Sequence, residues 1–156
     1  MKKYDYIQLG MIALLSHFAQ CALFLLLFAA LGGTGTTSSF TFASPAGLVI
    51  GAIYPALVSF LFGWGLRPKS GIDKNRCWNA AIVLYVLDLA SLLLMPVPFS
   101  PGNILVMLWQ LPMAPAMVAV NELSGEASAL RDVFFVLLAA IEPMCLTLGL
   151  LWKGKK

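Results

Sequence analysis

The sequence predicts an all-α integral membrane protein: a four-helix transmembrane bundle with one additional re-entrant or interfacial apolar segment broken by prolines. Three observations predict it. Of 156 residues, 60% are hydrophobic and 11% charged, whereas soluble domains carry roughly a quarter charged residues. Apolar stretches long enough to cross a bilayer recur with short connectors between them, so residues 1–156 read as a single transmembrane domain. Nine of the ten Lys and Arg stand at the ends of those stretches, where positive charge fixes orientation rather than recruiting nucleic acid.

The first span is residues 7–31, preceded by Lys2 and Lys3 with Tyr4 and Tyr6 at the expected interface. Its apolar core is far longer than the roughly 7–15 residues of a secretory signal, so it reads as an uncleaved helix. Residues 32–44, rich in Gly, Thr and Ser and free of charge, read as an outer loop. The second span, residues 45–66, repeats a small or special residue every fourth position: Gly47, Gly51, Pro55, Ser59 and Gly63. That spacing puts them on one face where another backbone can approach closely. Packing within the chain is the reading preferred over a dimer seam, and Pro55 is expected to bend the helix.

Residues 67–76 hold four basic residues against Asp73 and mark the cytoplasmic side, with Trp64 and Trp78 flanking them. The third span, residues 78–95, is apolar apart from Asp88 near its middle, and Pro96, Pro98 and Pro101 end it. Residues 103–120 are apolar but interrupted by Pro112 and Pro115. If they cross, the chain has five spans and seven of its ten basic residues lie inside; if they re-enter, four spans place nine of ten inside. The second arrangement is adopted, with the acidic connector 121–132 outside and both termini cytoplasmic in a multi-pass cell-membrane protein. The last span, residues 133–152, carries Glu142 beside Pro143.

His17, Asp88 and Glu142 each stand ten residues inward from the cytoplasmic end of their span, about 15 Å deep at helical rise. An Asp at bilayer depth is disfavoured by about 2.5–3.5 kcal/mol and normally faces a bundle interior or cavity. Polar or small neighbours accompany each at helical spacing: Gln20 and Cys21 with His17, Tyr85 and Ser91 with Asp88, Cys145 and Gly149 with Glu142. His17, Gln20, Tyr85, Asp88, Ser91 and Glu142 are therefore the expected substrate- or proton-binding residues. With no Lys or Arg at this depth, the trio cannot all be compensated when ionised, which suits a group that carries a proton or exchanges it for a cation. The competing reading makes each residue a hydrogen-bonding strut between helices, worth about 0.6 kcal/mol on average.

The three cysteines form no C-x-x-C pair and read as packing residues. The sequence contains no H-E-x-x-H and no G-x-S-x-G, so an enzyme is the lesser reading; an aspartyl-type hydrolase or a divalent-ion site at the trio are minority alternatives. No resident metal or cofactor is assigned. The expected function is proton- or cation-coupled transport, or ligand binding within the membrane, by a homo-oligomer in the lipid bilayer. The alternative is an accessory or immunity-type protein that docks a larger membrane protein through the Gly47–Gly63 face.

Overall fold

A computed structural model of the chain describes residues 6–32, 45–67, 72–94, 109–124 and 128–152. The regular structure among them is helical: α1 (Tyr6–Gly32), α2 (Pro45–Gly65), α3 (Lys74–Leu94), a 3-10 turn (Leu111–Met113), α4 (Ala114–Ser124) and α5 (Ser128–Leu151). Three stretches are long and apolar enough to cross a membrane: Tyr6–Leu26, Gly47–Gly65 and Ala129–Leu151. This is the make-up of an all-α membrane protein. Residues 33–44, the middle of the basic loop at 68–71, Pro96, Pro98 and Pro101, residues 103–108 and the 153–156 tail lie outside the described residues.

Two helices begin earlier than their apolar stretches. α3 starts at Lys74 because Asp73 caps it: its Oδ1 accepts the Asn75 N–H at 3.0 Å and its backbone carbonyl accepts the Cys77 N–H at 3.1 Å. α5 starts at Ser128, through Arg131 and Asp132, because helix formation follows backbone hydrogen bonding and tolerates charges beyond the apolar run. Pro112 and Pro115 also act differently from the breakers expected. Pro112 opens the 3-10 turn and Pro115 is the second residue of α4, first-turn positions where a missing N–H forfeits no helical bond.

The surface is inverted relative to a soluble protein. Phe18 is 60% exposed while its neighbour His17 is 2% exposed. Ile7, Leu26, Ile53, Leu57, Ile82 and Leu137 point outward, whereas Ser16, Gln20, Ser59, Asp88, Gln110, Glu142 and Thr147 are buried. Polar groups inside and aliphatic groups outside is the arrangement a hydrocarbon solvent selects.

α2 packs most extensively against α5, and then against α4, while α3 also lies on α5 and α1 closes the bundle against α2 and α3. The α2–α5 seam is close because glycines face each other's backbone. A Cβ at Gly149 would overlap the Phe60 carbonyl and lie 2.9 Å from the Trp64 N, and one at Gly63 would overlap the Leu146 carbonyl. Farther along α2, a Cβ at Gly51 would lie 2.5 Å from Ala116 Cβ on α4. Gly47, Gly51, Pro55, Ser59 and Gly63 are all buried within the chain itself.

One end of the bundle gathers Tyr6, Arg67, Arg76, Asn79 and Trp152. Arg67 donates to the Trp152 carbonyl, Asn79 Nδ2 donates to the Tyr6 hydroxyl at 3.2 Å, and the Arg76 guanidinium lies 5.6 Å from the Tyr6 ring centre. Above this end, Leu9, Ile12, Ala13, Cys77, Leu84, Leu146 and Leu150 form an apolar cluster. A second cluster joins Met113, Ala116, Met117 and Val120 to Leu138 and Ala139. The candidate site lies between the two.

Candidate functional site

The polar layer is assembled from every long helix. α1 contributes Ser16, His17 and Gln20, which share its inward face because residues three and four apart align. α2 contributes Ser59, α3 contributes Asp88 and Ser91, and α5 contributes Glu142. Trp109 and Gln110, just before the 3-10 turn, enter the same layer.

His17 is held from three sides. Its Nδ1 lies 2.8 Å from Glu142 Oε2, its Nε2 lies 2.8 Å from the Trp109 carbonyl oxygen, and its ring stacks on the Trp109 indole with centroids 3.9 Å apart and planes 20° from parallel. The Cys21 thiol, one turn on, also reaches it. Gln20 Nε2 donates to Glu142 Oε1 at 2.9 Å and to Ser59 Oγ at 3.0 Å, while Tyr54 fixes α1 by donating to the Gln20 carbonyl at 2.6 Å. Trp109 Nε1 donates to Asp88 Oδ1 at 2.8 Å. Gln110 Nε2 donates to the Asp88 carbonyl at 3.2 Å and to Ser91 Oγ. The hydroxyl of Ser91 in turn donates to that Asp88 carbonyl at 2.7 Å. One connected network thus runs from Ser59 through Gln20, Glu142, His17 and Trp109 to Asp88.

Hydrogen-bond chemistry fixes part of the proton arrangement. A backbone carbonyl only accepts, so His17 Nε2 carries a hydrogen. The line between Nδ1 and Glu142 Oε2 then needs one proton, whether it sits on nitrogen or on oxygen. Among the described residues no Lys or Arg compensates the layer, and the other ion pairs are Arg76–Asp73 at 3.8 Å and Arg131–Asp132 at 3.5 Å, both at helix ends. The site is enclosed as well as polar, with His17, Gln20, Asp88 and Glu142 all at most 2% exposed. Low dielectric strengthens each bond made and penalises each bond left unmade.

Three buried polar atoms lack a hydrogen-bond partner among the described residues: Ser16 Oγ, Gln20 Oε1 and Asp88 Oδ2. One potential ligand atom from each of His17, Asp88 and Glu142 lies within 4.8 Å of the others.

Of the residues singled out from sequence, the structure brings His17, Gln20, Asp88 and Glu142 together, with Ser91 alongside through Gln110. Tyr85 goes elsewhere, packing half-buried against the Met113–Val120 cluster. Ser59, read from sequence as a packing residue, is also a hydrogen-bond partner of the layer. Sequence reasoning missed Trp109 and Gln110. Their signal is a Trp-Gln pair inside an apolar segment, directly before two prolines, which is easily read as an interfacial anchor.

Below the layer α1, α3 and α5 leave a small apolar cavity of about 10 Å³, lined by Ala13, Leu84 and Leu146 among others. Each of these stands one helical turn from His17, Asp88 or Glu142, on the side of the basic end. The chain matches no protein-family model, no curated protein and no solved structure, which leaves the chemistry of this layer as the ground for a functional reading.

Proposed function

We propose that this small polytopic membrane protein uses the His17–Glu142–Asp88 layer for proton- or cation-coupled transport, or for binding a ligand within the membrane. The observation that carries the reading is Asp88 Oδ2, a carboxylate oxygen on a residue 1% exposed with no partner among the described residues. An unsatisfied buried acceptor costs about 1–3 kcal/mol, and more when charged. A strut between helices needs no such oxygen, whereas a site that takes up a proton or cation does.

The arrangement of α4 supports four spans, α1, α2, α3 and α5, with a re-entrant element between α3 and α5. α4 has 11 residues, about 16 Å at helical rise, and is too short for a hydrocarbon core of about 30 Å. It leaves the depth of Asp88 at Gln110 and packs beside Gly51 and Leu138, toward the end opposite Arg67 and Trp152. Non-helical backbone at depth is tolerated where protein covers it, and Gln110, Pro112 and Met113 are buried. With the basic end cytoplasmic, both termini lie inside.

The accessory reading loses its proposed docking face, because α4 and α5 already cover the Gly47–Gly63 row. A homo-oligomer or a larger partner would use another surface. Purified protein in liposomes under an imposed pH gradient tests the transport reading: wild type should dissipate the gradient and Asp88→Asn should not. Equal flux in both, or none in wild type under proton, sodium and potassium gradients, would overturn it.

A further inference from the structure

We propose that the layer is a binding site for a divalent first-row transition-metal ion, with His17, Asp88 and Glu142 as its protein ligands. This names the cation class of the site described above and rests on the reading of the three residues as one site, though not on transport. Each ligand has two heteroatoms, and in each one is tied down by a neighbour. His17 Nε2–H is held by the Trp109 carbonyl, Asp88 Oδ1 by the Trp109 indole N–H, and Glu142 Oε1 by the Gln20 amide. Of the other three atoms, Asp88 Oδ2 has no partner among the described residues, while His17 Nδ1 and Glu142 Oε2 hydrogen-bond each other, so a metal ion taking both would displace the proton between them. A metal-bound histidine almost always donates its second ring N–H to a carbonyl or carboxylate, and ligating carboxylates are themselves hydrogen-bonded. This layer already contains those outer contacts, and Trp109 supplies two of them.

Asp88 Oδ2 is the independent pointer to a ligand. It has no partner among the described residues on a side chain 1% exposed, whereas Nδ1 and Oε2 face each other at 2.8 Å. Potential ligand atoms of the trio lie within 4.8 Å of one another. Bonds of about 2.1 Å place two ligands at most about 4.2 Å apart, so an ion would have to draw the most widely separated atoms of the trio together. One imidazole and two carboxylates suit Mn²⁺, Fe²⁺, Co²⁺ or Zn²⁺. Ca²⁺ prefers six to eight oxygens and Mg²⁺ retains most of its water, neither of which suits three ligands, one of them an imidazole, in an enclosed layer.

Tag-free, full-length protein in detergent, titrated with Co²⁺ and then competed with Zn²⁺, tests the site. Wild type should bind one Co²⁺ per chain with a visible d–d spectrum that Zn²⁺ abolishes, and Asp88→Asn and Glu142→Gln should weaken binding at least about 100-fold. Gln20→Leu, which touches only an outer contact, should weaken it about 10–100-fold. Absence of stoichiometric Co²⁺ binding in wild type overturns the proposal without reference to any variant's folding. So does binding that survives in Asp88→Asn and Glu142→Gln, both checked by thermal unfolding. The two readings fail separately. Proton flux abolished by Asp88→Asn without metal binding removes the metal and keeps transport, whereas tight metal binding without flux keeps the site and removes transport.

Discussion

Adding one methyl group at Gly149 should destabilise the bundle, and the structure sets the size of the effect. A Cβ there would overlap the Phe60 carbonyl and stand 2.9 Å from the Trp64 N, against an ordinary contact that begins near 3.4 Å. Both obstacles are backbone atoms of α2, so no rotamer change relieves them and the two helices must part by about 1 Å, a distance set by the Phe60 carbonyl. A gap of 0.5–1 Å forfeits a quarter to a half of the dispersion attraction across the seam, and overpacking of this kind costs about 1–3 kcal/mol. Gly63→Ala meets the Leu146 carbonyl and, at 3.0 Å, the Leu150 N on the same seam, so it should cost a similar amount. The pair should be sub-additive by at least about 0.5 kcal/mol, because a seam opened by one methyl already accommodates much of the second. Gly10→Ala is the control, since a Cβ there meets nothing within 4 Å; it should be neutral or slightly stabilising, alanine being the better helix former. Reversible unfolding in mixed detergent micelles measures all four variants. Gly149→Ala as stable as Gly10→Ala would refute the close α2–α5 approach.

Two further outcomes follow from the layer and the topology. Trp109→Phe keeps a ring to stack on His17 but removes the indole donor from Asp88 Oδ1; leaving both carboxylate oxygens unpartnered should cost about 1–3 kcal/mol in the same unfolding measurement, and no loss would show that this bond is not formed. A single cysteine at Lys155, in a background with Cys21, Cys77 and Cys145 replaced, should resist an impermeant maleimide added to intact cells. Ready labelling from outside would favour five spans.

Much of this architecture is legible in the sequence because a bilayer enforces simple rules. Uninterrupted apolar runs announce α1, α2 and α5, and the small-residue spacing in α2 names the face that α4 and α5 cover. The meeting of His17, Asp88 and Glu142 could be anticipated from equal depth, since helical rise converts residue number directly into distance along the bundle. Rotation about each helix axis is less legible. Asp88 and Tyr85 are three residues apart and read as one stripe, yet Tyr85 turns to the Met113–Val120 cluster while Asp88 faces His17 and Glu142. Trp109 and Gln110 were hidden for a different reason. Their role depends on the path of a segment that contains two prolines and a 3-10 turn between residues 109 and 116, and hydropathy carries no information about such a path. A tryptophan there reads as an anchor at the membrane surface, but its carbonyl and indole N–H orient two ionisable side chains from within.

The most direct test of the layer is a double-mutant cycle between His17 and Glu142. Replacing either partner alone, as His17→Phe or Glu142→Leu, leaves the other polar group buried without its 2.8 Å contact, at a cost of about 3–5 kcal/mol. Replacing both removes the contact and the orphan together, so the double variant should be more stable than the sum of the single losses implies. The expected coupling exceeds about 1 kcal/mol, above the roughly 0.6 kcal/mol average for hydrogen bonds between membrane helices. Losses that add to within about 0.5 kcal/mol would mean that the two side chains do not meet, and the buried site would fall with them.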